Sequence, residues 1–150
     1  MKKFASLIVA AAVSLVVVAF APAARHAGVY KVSAVLTPGV ETPKAVGAVG
    51  ARGSFTGTYV ENKTGAVLKW KLTFAHTTGR ALAAHIHGGK PGVAGPVIVP
   101  LCGPCRSGQA GTVKITKATV AALEGHRAYV NVHTAKNAGG EIRGQVKVAG

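Results

Sequence analysis

Alternation of apolar and polar residues marks most of this chain as β-strand. From Val29 to Leu36, Tyr30, Val32, Ala34 and Leu36 share one face and Lys31 and Ser33 the other, as a half-buried strand requires. Thr37-Pro38-Gly39 breaks that pattern, and the segment from Val40 to Arg52, rich in Gly, Pro and Ala, reads as a loop or irregular edge. Strand character resumes over Ser54 to Val60 and stops at the turn Glu61-Asn62-Lys63-Thr64-Gly65. Leu68 to Phe74 alternates most cleanly, with Leu68, Trp70, Leu72 and Phe74 opposite Lys69, Lys71 and Thr73. Further strands are predicted at Ala81 to His87, Pro96 to Leu101, Gly111 to Thr116, Ala128 to Thr134 and Glu141 to Val148, the last two joined by the turn Lys136 to Gly140. Lys117 to Glu124, stopped by Gly125, is a short helix. About eight strands at this spacing predict an all-β fold: an antiparallel Greek-key β-sandwich or barrel with one short helix.

The N-terminus follows a different pattern. Lys2 and Lys3 precede an apolar run from Phe4 to Ala21, broken only by Ser6 and Ser14, and then the small-residue stretch Ala21-Pro22-Ala23-Ala24. Basic start, apolar middle and small-residue exit are the layout of a secretory signal over residues 1–24, leaving one domain over 25–150 in the periplasm or outside the cell. An uncleaved anchor is the alternative, since the run approaches the roughly 18 apolar residues that span a bilayer. Membrane contact is expected only through that uncleaved signal.

Composition narrows the chemistry. The 150 residues are 49% hydrophobic and 5% aromatic, with 20 glycines, enough for one compact domain. Without residues 1–24 there remain 16 Lys and Arg against 4 acids, Glu41, Glu61, Glu124 and Glu141, hence a net charge of +12, and the chain has no aspartate. Such a surface attracts anions. For an exported protein these are envelope polymers, lipid headgroups and small oxyanions, with no nucleic acid expected as partner. No Ser-His-Asp set exists, and a carboxylate pair for glycoside hydrolysis would need two of only four acids.

The histidines carry the most specific candidate chemistry. Side chains alternate across a strand, so His85 and His87 face one way and Ile86 the other. Along Tyr129 to His133, the valines 130 and 132 take the apolar face and leave Tyr129, Asn131 and His133 on the polar one. In the last strand, Ile142, Val146 and Val148 point inward, so Glu141, Arg143, Gln145 and Lys147 point outward. Same-face neighbours lie about 6.6 Å apart along a strand and about 5 Å apart across strands. If the two strands are adjacent, His85, His87 and His133 therefore converge closely enough to share one ion on the sheet's outer, wet face. Three neutral imidazoles suit copper or zinc better than calcium or magnesium. His126 is a weak fourth candidate, Tyr129, Asn131, Glu141 and Arg143 are the candidate supporting residues, and His26 and His76 read as surface positions. The bland alternative is a row of histidines on the wet face of a sheet, hydrogen-bonded to Asn131, Thr134 or backbone.

These strings carry more than spacing. Ala84-His85-Ile86-His87-Gly88-Gly89, Gly95-Pro96-Val97, Leu123 with Gly125, Tyr129-Val130-Asn131-Val132-His133-Thr134 and Gly140-Glu141-Ile142-Arg143-Gly144-Gln145-Val146 together resemble the CHRD (chordin) domain, as do Glu41 with Pro43 and the stretch Gly53 to Gly57. The resemblance covers roughly residues 29 to 148. It implies an extracytoplasmic β-sandwich module and brings no catalytic reaction; the growth-factor binding of animal chordin belongs to a larger protein. The H-x-H strand and later V-x-H strand are also similar to the copper site of copper/zinc superoxide dismutase, a Greek-key sandwich. The zinc loop of that enzyme has no counterpart here, because aspartate is lacking, and Gly88 to Gly95 offers no bridging ligand.

Cys102-Gly103-Pro104-Cys105 has the spacing of a redox dithiol, yet loop residues flank it on both sides, and no histidine follows for haem attachment. In an exported protein a local disulfide between Cys102 and Cys105 is expected, contributing about 2 kcal/mol, with redox exchange or soft-metal capture as alternatives. The functional expectation is an exported binding module with a copper or zinc site. A copper-dependent superoxide dismutase-like enzyme and a structural envelope protein holding anionic polymers are the rivals.

Overall fold

In the computed structural model, which describes residues 28–150, nine strands form two antiparallel sheets; the leader 1–24, its cleavage point and His26 lie outside the described residues. The chain runs β1 (Val29–Leu36), a 3-10 turn (Pro38–Val40), β2 (Arg52–Asn62), β3 (Gly65–Ala75), β4 (Ala81–Gly88), β5 (Val97–Cys102), β6 (Gln109–Thr116), α1 (Lys117–Glu124), β7 (Ala128–Thr134), β8 (Ile142–Gln145) and β9 (Lys147–Ala149). One sheet has the order β6-β3-β2-β1-β9 and the other β5-β4-β7-β8.

Alternation accounts for the core. Val32, Ala34, Leu36, Phe55, Tyr59, Leu68 and Leu72 from the first sheet meet Ala84, Ile86, Val130, Val132 and Ile142 from the second, all buried. Helix α1 contributes Val120 and Leu123 at one end. Its Thr116 cap accepts a hydrogen bond from the Thr119 amide at 3.1 Å, which satisfies one of the amides that a helix start leaves open.

Two expectations need correction. The predicted final strand, residues 141–148, is two strands: β8 belongs to the four-stranded sheet and β9 to the five-stranded one. Val146, fully buried, turns the corner between them, its amide bonded to the Ala128 carbonyl at 2.9 Å. Period-two patterning runs unbroken through such a corner, because both sheets bury the same parity of residue. The second correction concerns the outer face of the four-stranded sheet, which is wet only in part: His85 and His133 stay half-buried there. Segments 37–51, 76–80 and 89–96 lie over it, so Glu141 (0% exposed), Arg143 (2%) and Asn131 (2%) are buried, although they do point away from the inter-sheet core. Alternation reports which face a side chain takes, not what later covers that face.

Candidate metal centre

Register brings the histidines together. β4 pairs with β7, His85 standing opposite Asn131 and His87 opposite Tyr129, with Ala83 opposite His133. One nitrogen from each of His85, His87 and His133 falls within 4.8 Å of the others. Nδ1 of His85 lies 3.2 Å from Nε2 of His133, and the ring centroids of His87 are 5.6 Å from both other rings.

Backbone carbonyls settle which nitrogens of His87 and His133 carry the proton, and His133 then accepts on Nε2 from Nδ1 of His85. Nδ1 of His87 donates to the Gly95 carbonyl at 2.9 Å, and Nδ1 of His133 donates to the Ala138 carbonyl at 3.0 Å. Each neutral ring then carries its lone pair on Nε2. Nε2 of His87 is buried and has no hydrogen-bond partner. A second-sphere carbonyl fixing each ring is the arrangement that orients a metal-binding imidazole. Gly95 permits it, because a Cβ there would run into the Gly88 carbonyl.

Burial favours the neutral form of His85 and His133. Burial, then the other two imidazoles, holds His85 below the ordinary histidine value. Burial lowers His133 as well, against the opposing pull of its Ala138 hydrogen bond. The unfolded chain therefore binds protons that the folded sheet refuses, so these two residues cost stability as the pH falls below about 6.5.

Around the trio the remaining candidates form a fixed layer. The Tyr129 ring stacks on His87 with centroids 5.0 Å apart and planes at 13°. From β8, on the other side of β7, the Arg143 guanidinium lies 3.4 Å from the same ring's centroid. Nη2 of Arg143 donates to the carbonyls of Lys90 and Val93 at 3.1 and 2.9 Å, which ties the 89–96 segment down over the sheet. The Tyr129 hydroxyl accepts from the Gly95 amide at 3.1 Å. Glu141 does not reach the histidines; it accepts from the Thr78 amide and hydroxyl and the Thr134 hydroxyl, all at 2.5 Å, and from Asn137 at 3.0 Å. It thereby holds the 134–140 turn whose Ala138 carbonyl orients His133. Gly140, at φ 137° and packed against the Asn131 amide, is the residue of that turn that no larger side chain replaces. His126 stands apart, exposed at a left-handed φ of 53° beyond α1, and is not one of the clustered three.

Glu41 belongs to this layer, although alternation assigns it only to a loop. Its Oε2 accepts from Asn131 at 3.5 Å, its Oε1 is buried without a partner, and it lines a cleft of about 310 Å³ with Arg143, Gln145 and Pro91-Gly92. Burial pushes its carboxyl up to about 7, against the opposing effects of Arg143, the Thr42 amide and Asn131. The folded state thus keeps a proton that the unfolded chain releases above about 4.5. This contribution to stability is complete below that pH and is lost as the pH rises through about 7. Glu41→Gln is expected to match the wild type at pH 4 and to exceed it at pH 8 by up to about 3 kcal/mol, read from urea unfolding at both pH values. Equal differences at the two pH values would contradict the assignment.

Cys102 and Cys105 are joined in a disulfide, with Cα atoms 5.3 Å apart, at the end of β5. The Cys105 amide donates to the Ala81 carbonyl at 3.0 Å, tying the loop to the first residue of β4, at the other end of that strand from His87.

Fold and site together define a two-sheet β-sandwich domain with a histidine cluster on the loop-covered side of one sheet. The CHRD domain family model matches residues 32–146, from within β1 to the corner at Val146. The chain belongs to the CHRD domain family. No curated protein and no solved structure matches it.

Proposed function

We propose that this CHRD domain is an exported binding module whose His85, His87 and His133 hold a copper ion. The observation that carries the reading is the unpartnered, buried Nε2 of His87 in a cluster where one nitrogen of each of the three rings lies within 4.8 Å of the others, with burial favouring the neutral form of His85 and His133. An uncompensated buried acceptor is costly, and a cation removes that cost. The donor set is all imidazole nitrogen, which disfavours calcium and magnesium; among divalent ions of the first transition row, copper binds nitrogen sites most tightly. To offer Nδ1 to a metal, His85 would have to carry its ring proton on Nε2 instead of giving it to His133. Export is supported by the leader-like residues 1–24 and by the Cys102–Cys105 disulfide, which persists in oxidising compartments. Among the described residues no helix is long and apolar enough to cross a membrane.

The full chain, expressed in a bacterial host, is expected in the periplasm or medium with a new N-terminus at Ala24 or Arg25. After incubation with copper and zinc and removal of excess metal, it is expected to hold one copper per chain, with nitrogen hyperfine structure in its Cu(II) spectrum. Retention of less than a tenth of an equivalent of either metal overturns the metal reading, and an uncleaved cytoplasmic chain overturns export. Superoxide turnover by the loaded protein, lost on chelation, would instead favour the enzyme reading.

A further inference from the structure

The two faces of the sandwich differ in kind. Loops cover the outer side of the four-stranded sheet, whereas the five-stranded sheet presents its outer side bare. Residues alternate there as in any strand, so the outward positions follow from register. They include Lys31, Arg52, Lys69, Lys71, Lys114 and Lys147, all exposed. No acid shares this face. Glu41 and Glu141 are buried against the opposite sheet, and Glu61 and Glu124 line a pocket beside α1.

Register also sets the order of long and short side chains. One cross-strand row reads Lys31, Thr58, Lys69, and the next reads Lys147, Ser33, Thr56, Lys71. Short hydroxyls therefore form a floor over β1 and β2, walled by Lys69 and Lys71 on one side and by Lys31 and Lys147 on the other. These residues line a trough of about 600 Å³. At the strand spacing of about 4.8 Å, its walls stand roughly 10 Å apart at one row and roughly 14 Å at the next.

We propose that this lysine-walled trough binds a linear acidic polysaccharide. Four ammonium groups flank a channel wide enough for one sugar chain, and the floor of Ser33, Thr56 and Thr58 offers hydroxyls to the sugar hydroxyls and carboxylates between them. Nucleic acid fits less well. The aromatic side chains of this sheet, Tyr30, Phe55, Tyr59, Trp70 and Phe74, take the inner face, so none is presented for base stacking, and a flat sheet inserts nothing into a duplex groove. A bilayer fits less well too, because the face lacks the interfacial aromatic residues that anchor proteins at membranes. The trough and the histidines lie on opposite sheets, so this site stands or falls independently of any metal.

Binding of full-length protein to a polygalacturonate oligomer at 50 mM salt tests the proposal, with dextran, duplex DNA and phosphatidylglycerol vesicles as parallel probes. Lys69→Glu/Lys71→Glu is expected to weaken polyuronate binding at least about tenfold and to flatten its salt dependence. Lys44→Glu/Lys136→Glu, the same charge change on loops over the other sheet, is expected to weaken it less than about threefold. Near-UV circular dichroism confirms folding, and Lys69→Gln/Lys71→Gln gives the same comparison at half the charge change. Equal losses in the two variants, no polyuronate binding, or tighter binding of duplex DNA or vesicles through Lys69 and Lys71 each overturn the proposal.

Discussion

His87→Ala is expected to lower copper affinity by at least about 100-fold while leaving the metal-free protein nearly as stable as the wild type. Loss of even a second-sphere partner costs a metal site about 10- to 100-fold, so loss of a ligand sets that range as a floor. Stability responds weakly because two effects oppose each other. The variant forfeits the stack on Tyr129 and the hydrogen bond to Gly95, but it also removes a buried nitrogen with no partner. The net cost is no more than about 2 kcal/mol. Competition titration against a copper chelator and urea unfolding of the apo-protein measure the two quantities, with His126→Ala as the control expected to change neither. If His126→Ala removed copper as effectively as His87→Ala, binding would lie outside the cluster.

Glu141→Gln is expected to do the reverse, with its main cost in folding. Burial alone would raise this carboxyl, but hydrogen bonds from Thr134, Thr78 and Asn137 outweigh it and hold Glu141 below the usual carboxylate range. An amide in its place would turn a second set of N–H donors toward donors already committed to the carboxylate. We expect a loss of about 3 to 5 kcal/mol in urea unfolding at pH 7. With its folded value depressed, the carboxylate contributes in full above about pH 4.5, and the contribution fades as the pH falls through the folded value. The gap between wild type and variant should therefore narrow from pH 7 toward pH 3. Copper affinity should fall as well, by about tenfold or more, because the 134–140 turn that orients His133 is no longer held. A stable Glu141→Gln protein would contradict the role assigned to the carboxylate.

The two variants also separate what is legible in the sequence from what is not. Alternation over 29–36 predicts β1 to the residue, and the parity of His85, His87 and His133 predicts that they share a face. Both are local properties, encoded every second residue. Parity likewise places Glu141 and Arg143 on the outer side of their strand, where they are. Their burial depends on segments 37–51 and 89–96, whose sequences have no period and whose contacts span 50 to 100 residues. Thr78 gives no sequence signal for its bonds to Glu141. Glu41 gives one only through its likeness to the E-x-P that opens the CHRD domain, and that likeness says nothing of its partner Asn131, 90 residues on. The division of the last strand is hidden for another reason: Val146 is apolar in either sheet, so a continuous strand and a corner share one pattern.

That corner has a practical result for anyone who handles the protein. Because the chain leaves the histidine sheet at Val146, its final residues run along the rim of the lysine-bearing sheet, beside β1. A purification handle or fusion partner added after Gly150 would emerge there and crowd the trough. It would leave the imidazoles untouched, so tagged material suits copper titrations, and carbohydrate assays call for a cleaved C-terminus.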